Sequence, residues 1–440
     1  MRGLSQGTAL ALACLVVGTS RLAHSDERGL AESPPWTVPG DLPLPFDARS
    51  VRIKLPKEPA SPQMGPAIVA EPGLLSKRRG TAAFEATLPL FGAKRGAECL
   101  GRWLLVGPLA WVCSDAVEFS SALSLPPDTP SMFSYRYFFA GADGATAFES
   151  PQAAEEGAPL KEYEHGFGIA GIEERRLGRN VYVKTAAGLF IDRAALVPSR
   201  ISEFHGEDLR KDTHVSLTNG ITGPAHLTIA WAKKGTRAFD DAKIAFNRRE
   251  PLTVTSRDSL KKIDVLRATR KDGTAVVVRE KDVVWPTLEA PPAELKKGER
   301  WIAIDRSTQT LVAYEFETPV FATLVSTGRG AEGTETSTPK GSFRIWVKLA
   351  TSNMDNLEDE NLSEHYSLED VPFVQFFSKG VALHGAFWHD DFGVARSHGC
   401  VNLTLADAEW LFKFTGPHLP NGWSAALPSE LERGTLIVVK

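Results

Sequence analysis

The chain has 440 residues, of which 42% are hydrophobic and 24% charged, as is typical of soluble globular proteins. At about 150 residues per domain, this length predicts roughly three domains. The 50 Lys and Arg residues against 54 Asp and Glu residues argue against nucleic-acid partners, whose binding usually needs a basic face. The 37 Gly and 29 Pro residues favour turns and short strands, so we expect a mainly β protein.

Residues 1–25 have the pattern of a secretory signal peptide. Arg2 precedes an apolar run over residues 8–17 that is too short to cross a bilayer, and small residues before position 26 permit cleavage. A lipoprotein anchor at Cys14 is the weaker alternative, because an apolar run follows that cysteine. We therefore expect an exported protein of the periplasm or cell envelope, without a transmembrane span after signal cleavage.

Residues 26–75 are rich in Pro, Glu and Ser, which predicts an extended linker. Beyond them, short β-branched and aromatic runs alternate with turns, and a weak pentad recurs at Gly80–Phe84, Gly144–Phe148 and Gly235–Phe239. The irregular spacing excludes a solenoid.

The same stretch resembles bacterial SH3-like modules. The resemblance implies small β-barrels at residues 76–125 and 130–200, with a candidate third at 225–287; one larger β domain is the alternative. Cys99 and Cys113 lie in the first of these, and an even pair in an exported protein predicts a disulfide. Such a bridge would stabilise the fold by roughly 3 kcal/mol in the chain-entropy description.

Residues 298–440 show clear strand patterns. Apolar runs such as Trp301–Asp305 and Val381–Gly385 alternate with turns, and one helix is expected after Thr404, with Ala408 and Leu411 on its buried face.

Cys400 is the cysteine that remains without a partner once the signal segment and the pair are set aside. A thiol beside histidines can be deprotonated and become nucleophilic. His398 lies two residues earlier, so an extended segment would place both side chains on one face, and His384 could reach the site from a neighbouring strand. The backbone N–H groups of Gly399 and Cys400 could face a developing oxyanion.

Two alternatives to a catalytic thiol fit the same residues. The first is a buried structural cysteine between core histidines. The second is a zinc site with His384, His389, His398 and Cys400 as ligands, although their spacing lacks the regularity of common zinc motifs. A papain-like peptidase fits poorly, because in that order the cysteine precedes the histidine.

His384, a 12-residue gap and the run Ser397-His398-Gly399-Cys400-Val401-Asn402 resemble the signature of the L,D-transpeptidase catalytic (YkuD-type) domain. Ser337–Phe343 resembles the Thr-Pro-x-Gly-x-Phe turn of that family. The resemblance implies a β-sandwich-like domain at 298–440. It also implies a cysteine acyltransferase that acts on peptidoglycan stem peptides, needs no cofactor or metal and is inhibited by a carbapenem.

The resemblance also implies roles for single residues. Cys400 would be the nucleophile and His398 or His384 the base, with His398 preferred because it lies beside Cys400. Ser397 and Asn402 would order the site. We also expect substrate contacts from Ser397, Gly399, Asn402 and Trp388, although Trp388 lies in a stretch that departs from the family pattern. Hydrolytic carboxypeptidase activity at the same thioester and a non-catalytic wall-binding role are the alternatives.

Residues 353–370 contain seven carboxylates and no Lys or Arg. We expect them to form a long connection between two strands, and such connections are often lids or solvated loops. An acidic lid over Cys400 would favour a cationic amine acceptor; a solvated loop without a role is the alternative.

Overall fold

The computed structural model describes residues 49–55, 65–121, 135–210, 225–356 and 365–440. The predicted signal peptide at residues 1–25 and most of the predicted linker lie outside the described residues. The described residues form 31 strands and two α-helices, which confirms the mainly β class. Within these ranges no helix is long and apolar enough to span a membrane.

The first module packs an apolar core centred on Val51, Leu88 and Leu104, and a smaller apolar cluster that includes Trp103 and Trp111. Its strands are β1 (Ser50–Ile53), β2 (Ala67–Val69), β3 (Arg78–Ala82), β4 (Thr87–Pro89), β5 (Gly92–Lys94), β6 (Trp103–Gly107), β7 (Ala110–Cys113) and β8 (Val117–Ser120). A disulfide joins Cys99 to Cys113.

Strands β1 and β2 correct the predicted linker at residues 26–75, because both lie within it. β1 pairs with β4 and β8, and Val51 and Ile53 are buried. The Pro-rich surroundings hide this short alternating run in the sequence.

The second module has its own core around Phe138, Ile169 and Ile191. It consists of β9 (Arg136–Ala140), β10 (Ala145–Phe148), the short helix α1 (Pro151–Glu155), β11 (Lys161–Tyr163), β12 (Gly168–Leu177), β13 (Asn180–Thr185), β14 (Phe190–Asp192) and β15 (Leu196–Pro198). A short strand, β16 (Glu207–Asp208), follows in the connection to the third module.

The third module encloses a core around Leu252, Leu266 and Val278. Its strands are β17 (Ile229–Ala232), β18 (Pro251–Leu260), β19 (Ile263–Thr269), β20 (Ala275–Arg279) and β21 (Val283–Val284). The three modules share one ending, in which a single 3₁₀ turn separates the last two strands, at Ser114–Ala116, Arg193–Ala195 and Glu280–Asp282.

The C-terminal domain packs two sheets and one helix around a core that includes Ile304, Phe377, Leu403 and Leu411. Its elements are β22 (Arg300–Asp305), β23 (Thr310–Glu315), β24 (Thr318–Leu324), β25 (Gly341–Arg344), β26 (Val347–Asp355), β27 (Ser367–Ser378), β28 (Val381–Gly385), β29 (Val401–Leu403), α2 (Leu405–Phe414), β30 (Trp423–Ala426) and β31 (Leu436–Val439).

Helix α2 confirms the helix expected after Thr404. The Thr404 hydroxyl accepts a hydrogen bond from the Asp407 N–H at 3.2 Å, and Ala408 and Leu411 are fully buried. The hydroxyl therefore satisfies one of the free N–H groups at the start of the helix.

The modules were expected to be separate barrels, but the first and second modules and the connecting strand β16 pair with the C-terminal domain, and Trp231 of the third module shares a core with Trp301 of that domain. β3 pairs with β30, β12 with β27 and β16 with β24. Trp423 of β30 belongs to the core of the first module. Backbone pairing and a shared core tie the modules to this domain.

The acidic connection is shorter than expected, because β26 extends to Asp355 and β27 begins at Ser367. Residues 357–364, with four of the seven carboxylates, lie outside the described residues. Glu369 is buried and accepts hydrogen bonds from Lys161 Nζ at 2.7 Å and Tyr163 Oη at 2.9 Å. Asp370 is also buried and accepts from the Thr351 hydroxyl at 3.0 Å. These two carboxylates therefore belong to buried contacts and not to an exposed loop.

Candidate active site

An open cleft of about 730 Å³ lies on the C-terminal domain. It brings together most of the predicted site residues, namely His384, Trp388, Ser397, His398, Cys400 and Asn402. The cleft also receives Phe139 and Gly166 from the second module, and Arg329, His389 and Arg396 from the C-terminal domain. His389 is a candidate zinc ligand in the sequence, whereas the other additional residues belong to none of the motifs that predict the site.

Parallel pairing of β28 and β29 positions the predicted nucleophile and one histidine. Leu383 lies opposite Val401, and His384 lies opposite Asn402. Side chains alternate along a strand, so His384, Asn402 and Cys400 face the same side. Leu383 and Val401 face the other side and are fully buried in the core.

The surroundings of Cys400 favour the thiol over the thiolate. Its Sγ lies 3.8 Å from the carbonyl oxygen of Gly380, to which an S–H group can donate. Burial raises the pKa of the Cys400 thiol, and a hydrogen bond from the Ala382 backbone offsets this rise only in part. A nucleophilic role for this thiol would therefore require a base that takes its proton.

His384 is held in one tautomer. Its Nδ1 lies 3.1 Å from the carbonyl oxygen of Gly385, and a carbonyl can only accept, so Nδ1 carries the proton and Nε2 the lone pair. Burial lowers the pKa of His384 to about 4, with a smaller opposing effect from the Gly385 hydrogen bond. The ring is therefore neutral at pH 7 and can accept a proton at Nε2.

His398 has a different environment from the one expected. Its Nε2 lies 2.7 Å from an Arg329 guanidinium nitrogen, which can only donate, so this lone pair is already engaged. Burial and the Arg329 charge both lower the pKa of His398. Gly399 has a φ of 126°, a conformation that favours glycine, so the segment turns here and the expected same-face alternation of His398 and Cys400 does not apply.

The turn before Cys400 is fixed by hydroxyl groups. The Gly399 N–H donates to Ser397 Oγ at 3.1 Å, so it is engaged within the turn and does not face an oxyanion as expected. Ser397 Oγ also bonds to the Cys400 carbonyl. Thr338, in the turn after β24, donates to the Gly399 carbonyl at 2.7 Å. The motif Ser337–Phe343 thus contributes to the site through Thr338.

Asn402 and His389 form a polar pair beside the thiol. The Asp391 N–H donates to His389 Nδ1 at 3.2 Å, so the proton of the neutral ring lies on Nε2. The Asn402 side-chain amide lies 3.0 Å from this Nε2. Burial lowers the pKa of His389 to about 4, so this ring is also neutral at pH 7.

The mouth of the cleft carries two exposed arginines. Arg396 pairs with Asp391 at 3.0 Å. Arg329 bonds to the neutral His398 ring and has no carboxylate partner among the residues that the structure describes. Because charge-assisted bonds to carboxylates are the strong ones, this cation suits an anionic group of a substrate.

The zinc alternative is not favoured by the geometry. Among the described residues, one group of three potential ligand atoms lies within 4.8 Å, formed by Cys99, Cys113 and Asp115. Two of its members are joined in the disulfide. The described histidines and Cys400 around the cleft do not form such a group.

Residues 299–439 match the family model described as YkuD, L,D-transpeptidase catalytic domain. The C-terminal domain is a YkuD-type L,D-transpeptidase domain. This confirms the family resemblance for that part of the chain, whereas the SH3-like nature of the preceding modules stays a prediction. No curated protein matches the chain.

Solved L,D-transpeptidase structures are similar to this domain. The catalytic domain of E. faecium L,D-transpeptidase is 20% identical, and the match covers 32% of this chain and 98% of that one, with a TM-score of 0.24. Mycobacterium tuberculosis L,D-transpeptidase 1 is 20% identical over 38% of this chain and 77% of that one, with a TM-score of 0.24. The L,D-transpeptidase from Stackebrandtia nassauensis is 25% identical over 33% and 57%, with a TM-score of 0.22.

Proposed function

We propose that this protein is an exported L,D-transpeptidase that forms peptidoglycan cross-links through a thioester at Cys400. The observation that carries the proposal is the pairing of β28 with β29, which puts His384 and Cys400 on one face of an open cleft within a YkuD-type domain. The donor is a tetrapeptide stem, and the attacked carbonyl joins its third residue to the terminal D-Ala.

The proposed reaction needs one nucleophile and one base. His384 Nε2 takes the proton from the Cys400 thiol as sulfur attacks the carbonyl, and then returns it to the amine of the departing D-Ala. The side-chain amine of a neighbouring stem attacks the thioester, transfers a proton to His384 and releases the thiol. His384 suits the role better than His398, whose Nε2 lone pair is engaged by Arg329.

The charge at the cleft mouth fits this donor. Arg329 lines the cleft mouth without a carboxylate partner among the described residues, and the donor ends in the carboxylate of D-Ala. A bidentate hydrogen bond from the Arg329 guanidinium to the D-Ala carboxylate would hold the leaving group beside Cys400.

The N-terminal modules have a proposed role of their own. We retain the SH3-like assignment because all three modules end in a 3₁₀ turn between their last two strands. Contact with stem peptides or glycan in the wall would hold the enzyme at its substrate. Export to the periplasm or envelope would be tested by the mass of the mature N-terminus, expected at Asp26.

The decisive experiment is incubation of the full chain with disaccharide-tetrapeptides and mass spectrometry of the products. We expect D-Ala release, cross-linked dimers and, with a carbapenem, an adduct on the Cys400 peptide. Cys400→Ala and Cys400→Ser should give none of these, while His418→Gln, at an exposed histidine paired with Glu432, serves as the matched control.

The outcomes separate the proposal from its rivals. Tripeptides without dimers would replace transpeptidation by carboxypeptidase activity. Absence of D-Ala release, dimers and carbapenem adduct would leave the non-catalytic wall-binding role. Full activity in Cys400→Ala would refute the nucleophile.

A further inference from the structure

The two halves of the catalytic motif are joined by residues 386–396, the site loop. It directly follows Gly385, whose carbonyl holds His384 Nδ1, and directly precedes Ser397 of the turn at Cys400. It carries Trp388, whose ring lies 5.6 Å from that of His384. A displacement of the site loop would therefore move both the base and the cleft wall.

The second module holds the first half of the site loop. The Tyr137 ring stacks on Phe387 with 3.9 Å between ring centroids and 9° between planes. Ser199, just after β15, donates from its hydroxyl to the Phe387 carbonyl. Phe139 of the same module lines the cleft itself.

The third module holds the second half. Arg249 donates from one guanidinium nitrogen to the Asp390 carboxylate at 2.6 Å and from the other to the Asp390 carbonyl at 2.9 Å. Arg248 pairs with Asp391 at 3.0 Å. Ser202, in the connection between the two modules, donates to the Asp390 carboxylate.

Arg249 is largely buried and has a strained backbone conformation where it contacts the site loop. Its side chain is only 13% exposed and stacks over Phe204 at 5.1 Å, and its φ of 65° is a conformation that non-glycine residues rarely adopt. The hydrogen bond from Arg249 is the largest cause of the lowered pKa of Asp390. Strain and desolvation at one residue indicate a contact that the surrounding structure imposes.

We infer that the second and third modules act as a clamp that positions the site loop, so that the N-terminal region completes the active site rather than only carrying it. Arg249 is the positioning residue that allows the most direct test, because it contacts the site loop but neither His384 nor Cys400. The effect on catalysis rests on the proposed function; the holding of the loop does not.

The test is a double-mutant cycle in the full chain with Arg249→Ala, Asp390→Ala and both together. The matched control is Arg257→Ala, whose partner Glu280 at 2.7 Å lies within the third module and away from the site loop. Two quantities are measured: amide hydrogen exchange of residues 386–396, and the first-order rate of Cys400 acylation at saturating tetrapeptide donor.

We expect faster exchange in the site loop and an acylation rate reduced about 10- to 100-fold in each single variant, because misplacement by about 1 Å can cost this much. The effects of the two single variants should be less than additive in the double variant, since both remove the bond between the Arg249 guanidinium and the Asp390 carboxylate. Arg257→Ala should change neither quantity.

Unchanged loop exchange in Arg249→Ala would overturn the clamp whatever the reaction is. Faster exchange with an unchanged acylation rate would overturn its catalytic role. If the parent protein is not acylated at all, the proposed function fails, and the exchange measurement alone decides whether the modules hold the loop.

Discussion

The states that the surroundings favour before substrate binds, a neutral thiol at Cys400 and a neutral imidazole at His384, lead to a testable prediction. The thiol faces the Gly380 carbonyl and its pKa is raised by burial, while the pKa of His384 is lowered to about 4. Both shifts favour a neutral thiol and a neutral imidazole over a thiolate–imidazolium pair. His384 Nε2 should then be free of a proton before the attack and should accept the thiol proton as sulfur attacks the carbonyl.

The substitution His384→Gln should have different effects on two reactions of Cys400, alkylation by iodoacetamide and acylation by the tetrapeptide donor. A thiol with a pKa of about 8.5 or higher is at most about 3% thiolate at pH 7. If the resting pair is neutral, removing His384 leaves this fraction unchanged, so alkylation by iodoacetamide at pH 7 keeps its rate. If the pair were ionic, the thiolate fraction would be near one and the substitution would slow alkylation about 30-fold.

Acylation by the tetrapeptide donor should respond in the opposite way. General base catalysis contributes about 10²- to 10⁴-fold, so His384→Gln should reduce the acylation rate by that factor. In the parent protein this rate should be constant down to about pH 5. It should fall as the pH drops through the His384 pKa of about 4, because the protonated ring cannot accept a proton.

The assay is stopped-flow alkylation followed by peptide mass spectrometry between pH 4 and 10, on the parent and the variant. A pH-independent alkylation plateau between pH 5 and 8 in the parent, lost in His384→Gln, would refute the neutral pair. A larger acylation defect in His398→Gln than in His384→Gln would refute the choice of base.

Three further predictions concern other parts of the molecule. Lys348 is fully buried, donates to the Phe412 and Thr415 carbonyls, and has its pKa lowered by burial to about 7. The unfolded chain binds this proton more tightly than the folded protein does, so the free energy of unfolding should rise between pH 7 and 9.5. Relative to Lys348→Met, the rise should be up to about 3 kcal/mol, as measured by urea denaturation at both pH values. Trp423→Ala should cost about 3–5 kcal/mol locally and speed amide exchange in β3, since this ring lies in the core of the first module; unchanged exchange would contradict the docking. Arg329→Gln should lower kcat/KM about tenfold for donors ending in a free carboxylate but not for their C-terminal amides, and equal losses on both would rule out carboxylate recognition.

The sequence predicted the catalytic domain well because its signals are local. The run around Cys400 and the upstream His384 identified the site, and the expectation that His384 reaches it from a neighbouring strand agrees with the pairing of β28 and β29. The relation of His398 to Cys400 was less predictable. It depends on the backbone angle at Gly399 and on Arg329, which lies 69 residues from His398 in the sequence.

The way in which the modules meet the catalytic domain could not be predicted from the sequence. Glu369 looks like one of many acidic loop residues, yet it is buried through bonds to Lys161 and Tyr163, 208 and 206 residues away in the chain. β3 likewise pairs with β30 through backbone groups that carry no side-chain signal. Such contacts depend on tertiary packing, which overrides local patterns.

The burial of Glu369 and Asp370 also changes the electrostatic argument about the acceptor. The acidic lid stays a prediction, because four of its seven carboxylates lie outside the described residues, while Glu369 bonds to the second module and the Asp370 carbonyl accepts from Tyr137 of that module. The described wall of the cleft instead presents Arg329 and Arg396, and charges act only within about 8 Å at physiological ionic strength. In the proposed reaction, selection by charge at this mouth would act first on the carboxylate of the donor. Because that carboxylate would leave with D-Ala, the cation would favour a fresh donor before acylation and lose its partner afterwards. With the D-Ala carboxylate gone from the rim, the acceptor amine could enter the cleft and attack the thioester.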